Sequence, residues 1–216
     1  MDNYNDTPQE RPKVNPFLSV WLHPKQTARY MIDEKSIGFA ILIMSIGYIG
    51  SSLSGLIDPK FMTDFSLWIL ALLCVIFAPI AGIIGTSFST LIFWLFGKLF
   101  KGTGTFSDLF KGLSLTAIPF IVLIPLYLIW LITSPETLMD TNSVDTIPWL
   151  LLITGLVSLI LAIWSFVITV GVVAEAHEFE IWKAILTVII PSIILFIIFF
   201  IFFIILMFGI IGISMM

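Results

Sequence analysis

Charge is the scarcest commodity in this 216-residue chain: Asp, Glu, Lys and Arg together make up 11% of it, against about 25% in soluble domains. So few charges cannot hydrate a globular surface, which excludes an ordinary water-soluble domain. Cysteine is nearly absent as well. Cys74 stands alone inside an apolar stretch, so no intrachain disulfide can form. The two histidines, His23 and His177, leave little imidazole for catalysis. No Ser, His and Asp constellation and no pair of membrane-facing acids offers a route to hydrolysis or group transfer. A basic aromatic platform for nucleic acid is also missing. The glycine-rich loop has Gly97 and Gly102 at phosphate-loop spacing, but Thr103-Gly104 stand where Lys and then Ser or Thr are required, and the loop follows an apolar helix instead of a strand. The chain is therefore expected to be no enzyme, to carry no cofactor and to bind neither nucleotide nor nucleic acid.

What is abundant is apolar: 59% of the residues are hydrophobic, with 20 Phe and 7 Trp. About 20 such residues in a row cross the hydrocarbon core as a helix, because each adds about 1.5 Å and every backbone polar group must be satisfied internally. Five windows qualify, at 36–57, 67–96, 113–132, 147–174 and 184–213. The prediction is an all-α integral membrane protein of five transmembrane helices. The second and fifth windows are long enough that they must tilt, bend or protrude, and a re-entrant hairpin in the second is the lesser alternative. Pro79, Pro119, Pro125 and Pro191 fall inside spans and are candidate helix breaks.

Lys and Arg are unevenly shared among the connections. Arg11, Lys13, Lys25, Arg29 and Lys35 precede the first span, Lys98, Lys101 and Lys111 lie around the second loop, and Lys183 lies in the fourth. The other side receives Lys60 alone. Cationic segments resist translocation, so the N-terminus is expected in the cytoplasm and the C-terminus outside. The first 35 residues are polar and proline-bearing, unlike a cleavable signal peptide, so the first span is expected to direct insertion.

Residues 1–14, rich in Asn, Asp, Pro and Gln, read as a disordered cytoplasmic tail. Asn5-Asp6-Thr7 matches a glycosylation acceptor only formally, since it lies on the cytoplasmic side. Residues 15–35 read as short amphipathic helices: Asn15 can cap a helix with Pro16 first in it, and His23-Pro24 ends one and starts the next. They either lie on the inner leaflet or cap the bundle. Trp21, Lys25, Arg29, Lys98, Lys101 and Lys111 are the expected contacts with lipid headgroups.

Two stripes of small residues at four-residue spacing, Gly47, Ser51 and Gly55 in the first span and Ala81, Gly85 and Ser89 in the second, predict that these spans pack together. The fifth span is greasy all round and is expected to face lipid or a membrane partner. The sharpest polar cluster is Glu175, His177, Glu178 and Glu180. It is a candidate divalent-metal site, and the competing reading places Glu178 and Glu180 at the favourable end of the fifth helix dipole. Glu175 lies nearest the membrane, where a carboxylate would suit proton or cation handling unless it reaches water.

The order of these features resembles the Yip (Ypt-interacting protein) domain in its short bacterial form. The resemblance is carried by Asn15-Pro16-Phe17 through Trp21, then Pro24, Lys25 and Thr27. It continues through the glycine-rich loop with Thr105-Phe106, Asp108-Leu109 and Pro119, then His177, Trp182-Lys183-Ala184 and Pro191. It implies five spans with a cytoplasmic N-terminus, and a role beside other membrane proteins, in bacteria as an accessory to partners such as exporters. Eukaryotic members are implicated in vesicle traffic and bind Rab-type GTPases. This chain has no long cytoplasmic domain and no Tyr-Gly-Pro tripeptide, so GTPase binding does not carry over. Glu178 and Glu180 also depart from the small or polar residues expected there.

These readings converge on a non-enzymatic multi-pass protein of the bacterial cytoplasmic membrane. It is expected to act as adaptor, organiser or transporter accessory, with the bilayer, other integral membrane proteins or its own copies as partners. The rival is a small permease for an ion, metal or lipid using the proline-broken spans and the acidic turn. A permease needs a polar cavity reaching the midplane, whereas a packed bundle with an apolar stripe left over favours the adaptor.

Overall fold

The computed structural model describes residues 14–59, 65–141 and 148–214, the last seven by backbone alone. Residues 1–13, with Arg11, Lys13 and the Asn5 acceptor, and Lys60 lie outside them. Five helical segments are long and apolar enough to cross a membrane: Ile37–Leu56, Leu67–Leu99, Phe106–Thr133, Trp149–His177 and Ile181–Met207. No strand occurs among the described residues. The third and fourth segments each reach several residues beyond the predicted window at the end they share with the N-terminal helices.

Local chemistry sets the helix starts. The Asn15 side chain accepts from the Phe17 N–H at 3.0 Å and Pro16 opens α1 (Pro16–Ser19). Pro24 opens α2 (Pro24–Glu34). Thr27 ties the two together, its hydroxyl lying 2.8 Å from the His23 carbonyl and 2.9 Å from the Ser19 hydroxyl. Ser36 caps α3 (Ile37–Ser52), which tightens into a 3-10 turn at Leu53–Leu56, and Ser66 caps α4 (Leu67–Leu99).

The third span is the irregular one. It runs as α5 (Phe106–Leu113), two 3-10 turns at Ser114–Ala117 and Pro119–Val122, and α6 (Leu123–Thr133). A short α7 (Pro135–Met139) follows, then α8 (Trp149–His177) and α9 (Ile181–Ser214). Pro119 sits at the expected break and Pro125 in the first turn of α6. Pro79 and Pro191, read as further breaks, lie inside unbroken helices. Helices in lipid tolerate an internal proline because neighbouring groups take up the freed backbone positions. Neither the second nor the fifth span is re-entrant.

α1 and α2 do not stand apart from the bundle. Thr27, Ala28 and Met31 are fully buried, and α2 runs along α8 and against α5. Val20 joins an apolar cluster with Ile43, Leu115, Ile118, Ile168 and Val172, so the pair wedges between spans and caps one end of the bundle. Leu18 and Leu22 point away, 71% and 79% exposed, on one side of this wedge. The second core cluster gathers Leu56, Leu70, Tyr127, Trp130, Leu138 and Leu161 toward the other end.

α3 and α4 pack along one another, as the small-residue stripes predicted, but mostly through other residues. The Tyr48 ring lies over Gly82 and Gly85, where an added Cβ would come within 3.1 and 2.9 Å of it. A Cβ at Gly47 would instead lie 2.2 Å from the Ala117 carbonyl oxygen, and one at Gly50 would lie 1.9 Å from that of Phe120. Gly47 therefore serves the third span. Gly55 meets nothing within 4 Å, and Ser51 and Ala81 are exposed. The close approach falls where the third span is 3-10, so helix break and glycine pair form one joint.

Candidate functional sites: the capped end and the interior cavity

Four elements meet at the capped end: α2, α5 and the ends of α4 and α8. α8 closes with Glu178 in the left-handed conformation (φ 57°), the Phe179 N–H reaching the Ala174 carbonyl at 2.8 Å. α4 closes the same way on Lys101 (φ 65°), with the Gly102 N–H 2.9 Å from the Gly97 carbonyl. The two ends face each other across His177. A Cβ at Gly97 would lie 2.0 Å from its Nε2, one at Gly102 2.3 Å from its Nδ1, and one at Gly104 2.6 Å from the Ala176 carbonyl. The glycine-rich loop is thus a cradle for an imidazole.

His177 is 1% exposed and its ring stacks on Phe179 with centroids 5.1 Å apart. Its Nε2 lies 3.3 Å from the Phe93 carbonyl, which can only accept, so Nε2 carries the proton and Nδ1 is left buried without a partner. Glu175, two residues earlier and so on the opposite side of α8, accepts from Arg29 Nε at 2.6 Å and lies 3.8 Å from Lys25 Nζ. That hydrogen bond holds the Arg29 guanidinium above its ordinary pKa. Glu180 accepts from the Trp182 indole at 2.6 Å, and Glu178 is exposed.

The acidic turn therefore does not converge. Among the described residues no three His, Cys, Asp or Glu side chains gather as a metal-holding group. The helix cap turns Glu178 outward, the cradle takes His177, and α2 takes Glu175.

Several of the residues expected at headgroups also have partners within the protein, while Lys25, Arg29, Lys98 and Lys101 stay exposed. Lys111 Nζ donates to the Ile32 carbonyl, closing the end of α2, and Lys98 Nζ donates to the Gly102 and Thr103 carbonyls at 3.1 and 3.2 Å. Lys25 and Arg29 meet Glu175, and Trp21 packs half-buried against both large core clusters. Lys101 alone of the six is exposed without a polar partner among the described residues.

A second feature was not anticipated. Tyr48, Thr86, Ser89, Thr116 and Thr169 converge on a partly open cavity of about 240 Å³ where all five spans meet. Phe93, Phe166, Leu113 and Val188 complete its wall. Tyr48 and Thr116 lie near the middle of their spans, and the others extend the cavity toward the capped end. Phe93 also supplies the carbonyl facing His177, so the imidazole lies behind that end of the cavity. The hint in the sequence was four hydroxyls in five residues of one span, Thr86, Ser87, Ser89 and Thr90. Ser89 had been assigned to helix packing.

Five spanning helices, capped at one end by a short helical pair, define a multi-pass α-helical membrane protein. The family model of the Yip1 domain matches residues 18–213, nearly the whole chain, and the chain belongs to that family. No curated protein and no solved structure matches it.

Proposed function

We propose that this chain is a non-enzymatic organiser of the bacterial cytoplasmic membrane, which associates with other integral membrane proteins through its last helix. The observation that carries this reading is the free surface of α9. Beyond Pro191, no side chain from Ser192 to Met207 is buried, and Phe196, Phe199, Phe200, Phe202 and Phe203 all stand exposed. Lipid tails give little driving force for covering such a surface, whereas interlocking aromatic and branched side chains of a second protein add dispersion contacts. The lysine and arginine bias puts the capped end in the cytoplasm.

The test is photocrosslinking from Phe199, Phe200 and Phe203 in native membranes, followed by affinity purification. A stoichiometric integral membrane partner is expected; crosslinks to lipid alone would sink the reading. One observation favours permeation as a second reading: the hydroxyl-lined cavity. Its wall holds no Asp, Glu, Lys, Arg or His, so of an ion, a metal, a lipid or an uncharged solute it suits the uncharged ones better. Flux of uncharged solutes into reconstituted vesicles tests it, and its absence removes this reading.

A further inference from the structure

Hydroxyls inside a membrane helix usually donate to a carbonyl one turn back. Ser45, Thr154, Thr169, Thr187 and Ser192 do so here, at 2.7–2.8 Å. Thr86, Ser89 and Tyr48 form no hydrogen bond among the described residues, and all three face the cavity. Thr86 is 6% exposed, so its hydroxyl is cut off from water except through that cavity. Tyr48 and Ser89 are half-buried, so all three hydroxyls open onto the cavity and are the groups that an occupant would meet.

We infer that the cavity is a binding site for a small uncharged polyol, glycerol with room to spare or one somewhat larger, met either as the free solute or as the diol head of a monoacylglycerol. This goes beyond the adaptor reading and does not rest on it.

Charge, hydrogen bonding and size each narrow the occupant. A charged ligand would enter a low-dielectric site with no counter-ion on its wall, at a cost of several kcal/mol. Thr116 and Thr169 spend their protons on the Leu113 and Ser165 carbonyls and so offer only lone pairs inward, which calls for donors on the ligand. Tyr48, Thr86 and Ser89 can donate and accept, which calls for acceptors as well. Hydroxyl groups supply both at each position. The rings of Phe93 and Phe166, with Leu113 and Val188, give the carbon skeleton an apolar surface. At about 240 Å³ the space falls below the roughly 300–1,000 Å³ of drug-sized pockets. It equals the liquid volume of about eight waters.

The experiment uses the full chain in phosphatidylcholine nanodiscs. Val188→Cys in a Cys74→Ser background puts a thiol on the apolar part of the cavity wall and leaves every hydroxyl in place, and its rate of modification by methyl methanethiosulfonate reports occupancy. Glycerol in solution, or monoacylglycerol in the bilayer, is expected to slow that rate at least fivefold. The arm that protects identifies the source. Thr86→Val and Thr169→Val, which preserve shape and remove a hydroxyl, should abolish protection, and the native Cys74, which lines a separate apolar groove, should show none. Each of these results overturns the inference: protection by neither compound, equal protection at Cys74 of the unaltered chain, protection undiminished in Thr86→Val, or protection by sodium or potassium chloride alone. Leu113→Cys repeats the measurement from the third span. If neither introduced thiol reacts, the cavity is unreachable and the inference falls.

Discussion

His177 shows how one side chain organises a whole end of the protein. It is surrounded by three positions at which any side chain would collide with it or with the backbone beside it, so the ring and the glycines specify one another. Gly97→Ala is expected to destabilise the fold by about 1–3 kcal/mol, the range for overpacking a filled site. Combined with His177→Ala, which opens the space the methyl needs, it should cost much less than the two single changes added. Denaturation of the purified protein in detergent measures this; simple additivity would show that the ring and glycine do not share that space. The opposite sign is expected at Glu178, held left-handed without being glycine. Glu178→Gly relieves a penalty of about 1 kcal/mol and should raise the midpoint.

At the scale of elements, the third span holds the bundle's joint. A regular helix keeps its carbonyls along its axis, whereas the 3-10 turns around Ile118 bring those of Ala117 and Phe120 against the bare flank of α3. Gly47→Ala and Gly50→Ala should each destabilise by about 3 kcal/mol, because the obstacle is backbone and cannot rotate away. Gly55→Ala, in the 3-10 turn that ends the same span and facing open space, should be neutral or slightly stabilising. Expression level and detergent melting of the three variants distinguish this from a general intolerance of the helix to alanine. The stripe of small residues was visible in the sequence, but period alone cannot say which neighbour it faces. α3 presents Gly47 and Gly50 to the third span, and its Tyr48 to the glycines of α4.

At the scale of the molecule, charge asymmetry and internal pairing work together. Lys25, Arg29, Lys98 and Lys111, four of the basic residues that set the expected orientation, are also tied to carbonyls or to Glu175 at the capped end, and Lys101 is the exposed cation among those proposed to touch lipid that has no polar partner among the described residues. In a Cys74→Ser background, Lys101→Cys should react with a membrane-impermeant maleimide only after cells are opened, and Thr141→Cys should react in intact cells. The reverse pattern would invert the assigned topology.

The number of spans, their approximate ends, the family and the uneven sharing of charge were all legible in the chain. They depend on composition over windows of about 20 residues, and hydrophobic burial in lipid is additive over such windows. The acidic turn shows where that kind of reading stops. Glu175, His177, Glu178 and Glu180 are neighbours in sequence, yet a single left-handed residue and a glycine cradle 80 positions away send them to different partners. Similarly, Pro79 and Pro191 carry the same local signal as Pro119, but only the third span breaks, where α3 offers two glycines to receive it. The cavity belongs wholly to tertiary structure, since its hydroxyls come from four separate spans and gain meaning only when gathered around one space. Sequence determined the solvent and the topology that solvent demands. Packing, which depends on pairwise shape between distant segments, decided where the polar groups meet.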